Sequence, residues 1–228
     1  MNISIFDVLG PVMAGPSSSH TAGAVRIGNI AFMLAESPLK SVSFGLHGSF
    51  WQAGEGHGTR HALLAGAMGL KQDDERIAQA FEIAGKKGLE YEFYHAKLKG
   101  VHENSVLLRA EYQDAAKRDI VASSVGGGRV LIQSIDGFKI EVNGELPTLM
   151  INYIDAAGVI SEATGLIAQS KVNIAAMKVS RNAKGMEACC IIETDSPVDE
   201  SIFAAMLKNG RISRVSAIKP LCGGAAGV

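Results

Sequence analysis

Between Thr148 and Pro220 the apolar positions change their period in a fixed order. Leu149 to Ile154 is an apolar-rich run suited to a strand, and Val159, Ile160, Ala163, Leu166 and Ile167 then recur at helical spacing. Val172 to Ser180 and Met186 to Thr194 read as two more strands, joined by "RNAKG", where Asn182 and Gly185 supply turn chemistry. Asp199 or Ser201 opens a second helix through Ile202, Phe203, Met206 and Leu207. Gly210 closes it, and "RISRVSAIKP" is the last strand. The order βαββαβ predicts a ferredoxin-like unit with both helices on one face of an antiparallel sheet.

Upstream the pattern is different. Ala24, Ile27, Ala31 and Leu34 form a helical stripe, "KSVSFGLHG" reads as a strand, and "GEGHGTRHALLAGAMGL" as a glycine-rich loop feeding a helix. "DDERIAQAFEIAGKKG" is a second amphipathic helix whose acidic start and basic end suit the helix dipole. "YEFYHAKL", "NSVLLRAEY" and "IVASSVGGGRVLIQSIDGFKIEV" are mostly strand. The turn "NGELPT" ends this part, and Pro147 disfavours helix before it. Two domains are therefore expected: an α/β unit over 1–146 and the βαββαβ unit over 147–228. Neither "GEGHG" nor "GGG" has the spacing after a strand that a phosphate loop or dinucleotide fingerprint needs.

Composition narrows the function. With 228 residues, 47% of them hydrophobic, the chain can bury a full core. The 22 basic and 23 acidic residues leave a net charge of -1, which gives no electrostatic reason for nucleic acid or an anionic membrane as partner. A small-molecule role fits better. No apolar run approaches the roughly 18 to 20 residues of a membrane span. "MNISIFDVLG" carries Asp7 and no basic segment, so no signal peptide and a cytoplasmic location are expected. Cys189 and Cys190 are strand neighbours that point to opposite faces, and with Cys222 they lack the short Cys-x-x-Cys spacing usual for iron–sulfur clusters. They read as buried thiols, no metal site is expected here, and any cluster would sit on another chain.

Two polar clusters could carry chemistry. Pro16, Ser17, Ser18, Ser19, His20 and Thr21 stand just ahead of the first helical stripe. A helix start offers free N–H groups and partial positive charge, a natural place for a carboxylate or phosphate. One serine as N-cap and the others as turn residues is the simpler alternative. The second cluster, "GSFWQAGEGHGTRH", sets His57, Thr59, Arg60 and His61 behind a loop whose glycines permit close approach of a ligand. His57 could act as general acid or base, or as a donor to a ligand. The i, i+4 spacing of His57 and His61 would suit zinc on a helix, but neither a zincin glutamate nor a third ligand accompanies it. "SSVGGGRV" reads as a bulge or tight turn between strands, with Ser123, Ser124 and Gly126 as weaker ligand candidates. Trp51 reads as packing.

"SIFDVLGPVMAGPSSSHTAGAVRIG", "HGSFWQAGEGHGT", "SSVGGGRV" and the βαββαβ tail, in that order, resemble the beta-chain family of iron–sulfur-dependent bacterial L-serine dehydratases. The N-terminal unit is then similar to the allosteric-substrate-binding domain of some phosphoglycerate dehydrogenases, and the C-terminal unit to an ACT domain. "NYIDAAGVIS" matches the ACT first strand and turn, with Asp155 and Gly158 as implied effector-binding residues; Ala157 stands where proline is usual. Asp155 also reads as a helix cap. The resemblance implies that L-serine is converted to pyruvate and ammonia with a [4Fe-4S] cluster held by a separate alpha chain. His20 and His57 would then bind substrate or handle protons, while Ser17, Ser18, Ser19, Thr21 and Thr59 contact substrate. Arg60 departs from the family, which commonly has an acid there.

The implied partners are the alpha chain, L-serine and a second copy of the chain, as a homodimer or an α2β2 assembly. A non-catalytic amino-acid-binding regulatory subunit is the alternative, and it would bind serine without an iron–sulfur partner. A free-standing hydrolase using Ser19 and His20 would be active as an isolated chain.

Overall fold

The computed structural model describes residues 12–221. Asp7, "SIFDVLG" and Cys222 lie outside the described residues. The chain divides into two compact units: one gathers the residues up to Gly137 with Glu141–Asn143, the other Phe138–Ile140 with the chain from Gly144 onward.

The first unit opens with a π-helical turn, Ser18–Gly23, that runs directly into α1 (Ala24–Met33). β1 (Leu39–Leu46), the short α2 (Ser49–Gln52) and α3 (Thr59–Ala67) follow. A 3-10 turn over Glu75–Gln79 leads into α4 (Ala80–Lys86), and then come β2 (Glu90–His95), β3 (Ser105–Tyr112), β4 (Lys117–Ser124) and β5 (Val130–Ile135); β6 (Phe138–Val142) is divided between the two units. The six strands form one mixed sheet in the order β2-β1-β3-β4-β5-β6. β2 runs parallel to β1, while β3, β4 and β5 alternate.

Strand alternation decides which face is covered. Val42, Phe44 and Leu46 of β1, Val106, Leu108 and Ala110 of β3, and Ile120 and Ala122 of β4 are buried. Tyr112 on the same face of β3 donates its hydroxyl to Ala31 O of α1 at 2.6 Å. The other face carries Lys40, Arg109, Glu111, Lys117 and Asp119, joined laterally by Lys40–Glu111 at 2.8 Å, Lys117–Glu111 at 3.4 Å and Arg109–Asp119 at 3.4 Å. Under the helices, α1 and α3 cross at backbone distance. A Cβ on Gly28 would overlap Leu63 O, and one on Gly66 would overlap Val25 O. Glycine at both crossing points lets the two helices approach closely, and both site loops precede these helices.

The second unit has the element order read from the periodicity. β7 (Thr148–Ile154), α5 (Val159–Gln169), β8 (Ile174–Arg181), β9 (Glu187–Thr194), α6 (Glu200–Met206) and β10 (Ile212–Ile218) build a four-stranded sheet ordered β10-β7-β9-β8, antiparallel throughout. Leu149, Ile151 and Tyr153, with Ala188, Cys190 and Ile192, face Val159, Ala163 and Ile167 of α5 and Met206 of α6, so both helices cover one face. Asp199 caps α6 by accepting from Ser201 N. β8 begins two residues later than the apolar run suggests, because Lys171 takes a left-handed φ of 59° and Asp195 N bonds Asn173 O, which spends Val172 and Asn173 on the turn. No described helix is long and apolar enough to cross a membrane.

Candidate functional site

The first cluster folds as a helix start with one extra residue in its turn. Ser17 is extended and caps it: Ser17 Oγ accepts from His20 N at 3.2 Å, and Ser17 O accepts from Thr21 N at 2.8 Å. Two N–H donors that the sequence offered to an anion are thus already used. The π form widens the turn by one residue, a feature frequent at functional sites, and turns the His20 ring sideways into the second cluster.

There His20 meets a residue the sequence reading passed over. Ser49, the first residue of α2 just beyond β1, places Oγ 3.2 Å from His20 Nε2, while Ser17 Oγ lies 3.5 Å from Nδ1. Phe50 closes one side of the ring, edge-on at 5.4 Å. The remaining side faces His57, with ring centroids 4.9 Å apart. Burial lowers the pKa of His20; the Ser49 backbone opposes that, and His57 adds to it. The outcome is an imidazole biased toward its neutral form, with a hydroxyl at each ring nitrogen. The only hint of Ser49 in sequence was its place in "HGSFWQ", directly after a strand, where open α/β sheets carry ligand sites.

His57 is different. Its side chain is exposed, and its ring has no hydrogen-bond partner among the described residues. Its backbone is fixed instead: Thr21 Oγ1 donates to His57 O at 3.3 Å. Gly58, at a left-handed φ of 69°, turns the chain from His57 into α3. Thr59 N bonds Gly54 O at 2.8 Å, which folds the loop back on itself.

The remaining predicted residues divide. Ser18 and Ser19 are half-buried in the same turn. Thr21 ties the two clusters together and is itself buried. Thr59 is fully buried and its hydroxyl has no partner among the described residues, so as placed it supports the loop from beneath. Arg60 sits 5.6 Å from the centre of Trp51 and 5.9 Å from that of Phe93, and Trp51 stacks on His95 at 5.2 Å. The charge that looked misplaced in the motif is thus held on an aromatic surface.

Asp155 and Gly158 flank the turn into α5. Gly158 has φ 90° and stands at the N-cap position. Asp155 does not cap the helix; its carboxylate accepts from Arg181 Nη1 of β8 at 2.9 Å. The cap reading of Asp155 is therefore replaced by an ion pair across the sheet edge.

The described cysteines, Cys189 and Cys190, do not suit a thiolate site. Cys189 and Cys190 are buried on opposite faces of β9, neither in a disulfide, and burial pushes the Cys190 thiol up to about 12. Among the described residues no group of three or more His, Cys, Asp and Glu side chains is placed to hold a metal ion.

Comparison with known proteins bears directly on this site. The model of the serine dehydratase beta chain family matches residues 4–134. The L-serine dehydratase beta chain of Peptoniphilus asaccharolyticus is 40% identical over 205 residues, which cover 90% of this chain and 92% of that one. The probable L-serine dehydratase beta chain of Bacillus subtilis is 34% identical over 215 residues, 94% of this chain and 97% of its own. D-3-phosphoglycerate dehydrogenase of Bacillus subtilis is 22% identical over 180 residues, which are 78% of this chain and 34% of that enzyme.

Proposed function

The chain belongs to the serine dehydratase beta chain family, and from that premise we propose that it supplies the histidine half of an L-serine dehydratase active site. The observation that carries this reading is the His20–His57 pair, one ring held between two hydroxyls and the other open to solvent. A dehydratase must take a proton from Cα and see the hydroxyl leave. The aminoacrylate so formed passes to its imine, which hydrolyses to pyruvate and ammonia.

His57 is the proton-handling group, since its ring is accessible and uncommitted. His20 is the orienting group: biased to its neutral form, its ring holds the Ser17 and Ser49 hydroxyls in place, and these present their remaining polar capacity to the bound amino acid. Ser18 and Ser19 complete the polar wall. The described cysteines do not fit an iron–sulfur cluster, so a [4Fe-4S] cluster belongs on a partner alpha chain, where it would act as a Lewis acid toward the seryl hydroxyl. The second unit is read as an ACT module, with Asp155, Gly158 and Arg181 at its effector turn.

Anaerobic purification of this chain alone, of a cluster-bearing alpha chain alone, and of the two together tests the proposal. Pyruvate release from L-serine should require both. Serine binding to this chain with no activity from an assembled, cluster-loaded complex would leave a regulatory amino-acid binder instead.

A further inference from the structure

Resting on the reading above, we propose that the β4–β5 hairpin is the mount of the His20 turn, with Ser124 and Arg26 as positioning residues for catalysis. In sequence, "SSVGGGRV" looks like a turn and nothing more, and as a shape it is one. Val125 N bonds Arg129 O at 2.9 Å and Arg129 N bonds Gly126 O at 3.0 Å. Gly126, Gly127 and Gly128 take φ values of 104°, 60° and 75°, a run of left-handed residues that only glycine adopts without strain. That backbone path points one carbonyl inward. Gly128 O accepts from Nη1 of Arg26 at 2.6 Å, and Arg26, on the first turn of α1, is only 6% exposed.

The second tie is a close contact. Ser124 is fully buried, and its hydroxyl has no hydrogen-bond partner among the described residues. It lies against Gly23, the last residue of the π turn. A Cβ there would overlap Ser124 Oγ and stand 2.7 Å from Ser124 Cβ. Gly23 itself has φ -61° and ψ -41°, ordinary right-handed helix that alanine would favour. Glycine at a helical position, and a buried hydroxyl with no partner, are each poor choices locally. Together they make sense as one contact that seats the turn on the hairpin, and such paired violations of local preference collect at functional sites.

The consequence falls on His20, three residues before Gly23. Its ring must stay between Ser17 and Ser49, and misplacement of a reacting geometry by about 1 Å costs about a hundredfold in rate. The hairpin therefore acts through the turn and does not touch substrate.

The test uses the two-chain complex with Gly23→Ala, Ser124→Gly and the double variant. Gly23→Ala should lower kcat by about ten- to a hundredfold and shift the acid limb of its pH profile. Ser124→Gly, which removes the seat under the turn, should lower kcat by several-fold, and the double variant should return to within about threefold of wild type because the added methyl then fills the place of the lost side chain. A Gly23→Ala complex with unchanged kcat and pH profile, or a double variant that assembles but does not recover, overturns the proposal. Should Gly23→Ala fail to assemble, Arg26→Met tests the other tie, and an unchanged kcat there counts equally against it. The titration of the His20 ring, followed by NMR in the full chain, should move with Gly23→Ala and return in the double variant. That readout stands even if wild type shows no dehydratase activity, a result that would fault the functional reading alone.

Discussion

The imidazoles of His20 and His57 face each other with centroids 4.9 Å apart and planes tilted by 46°. Both belong to motifs that precede closely crossed helices, α1 and α3, and Thr21 locks the two backbones together through His57 O. One ring is fixed and the other free, and that division generates distinct expectations.

The backbone of Ser49 raises the pKa of His20 against its burial, whereas its hydroxyl holds the Nε2 edge of the ring at 3.2 Å. Ser49→Ala keeps the first and removes the second. It should lower kcat/KM by about tenfold, less than the ~10²–10⁴ carried by an acid–base group itself, and leave the acid limb of the pH profile in place. An unchanged kcat/KM would mean that the Ser49 hydroxyl does not hold His20 for catalysis.

Arg60 is treated by the structure as a stacking cation. Arg60→Ala should cost about 1 kcal/mol, the scale of cation–π contacts that are partly solvated. Arg60→Asp should cost more, since it places an anion on the negative face of Trp51. Urea titrations of the two variants check the order, and equal stability to wild type would contradict the stacked placement.

Stability should fall on mild acidification. His20 and His61 both have folded-state pKa values below their ordinary 6.5, chiefly through burial. The unfolded chain therefore binds more protons than the folded one as pH drops below about 6.5, so stability present above that pH is lost toward the lower folded-state values. Thermal midpoints measured from pH 7.5 to 5 should decline through this window, and less steeply in a His61→Gln variant.

Cys190 should resist alkylation in the native chain, because a thiol whose pKa is pushed up to about 12 holds almost no thiolate at pH 8. Iodoacetamide labelling followed by peptide mass analysis reads this, with full labelling expected only after denaturation.

The second unit was almost wholly legible, because its period switches cleanly and each switch falls at a residue with turn or cap chemistry, such as Gly158, Gly185 and Asp199. The site was legible only as two separate motifs. Ser17, His20 and His57 announce themselves through unusual polar clustering. Ser49 does not, since a serine after a strand is ordinary until the fold carries His20 to it. The pairing of Asp155 with Arg181 was hidden for the same reason: helix capping is a local pattern, whereas an ion pair to β8 depends on strand order. Arg60 was legible only as a departure from the family motif, since its contacts are with Trp51 and Phe93, and Phe93 belongs to a later strand.

The central claim is that the free imidazole of His57 moves the proton while the bound imidazole of His20 orients the amino acid. Single-turnover pyruvate formation from L-serine by the cluster-loaded two-chain complex tests this most directly, comparing His57→Ala with His20→Ala. His57→Ala should lower the chemical step by at least about a hundredfold with serine still binding, whereas His20→Ala should weaken serine binding as well as lower the chemical step by about ten- to a hundredfold. A His57→Ala complex that forms pyruvate at the wild-type rate would contradict the account.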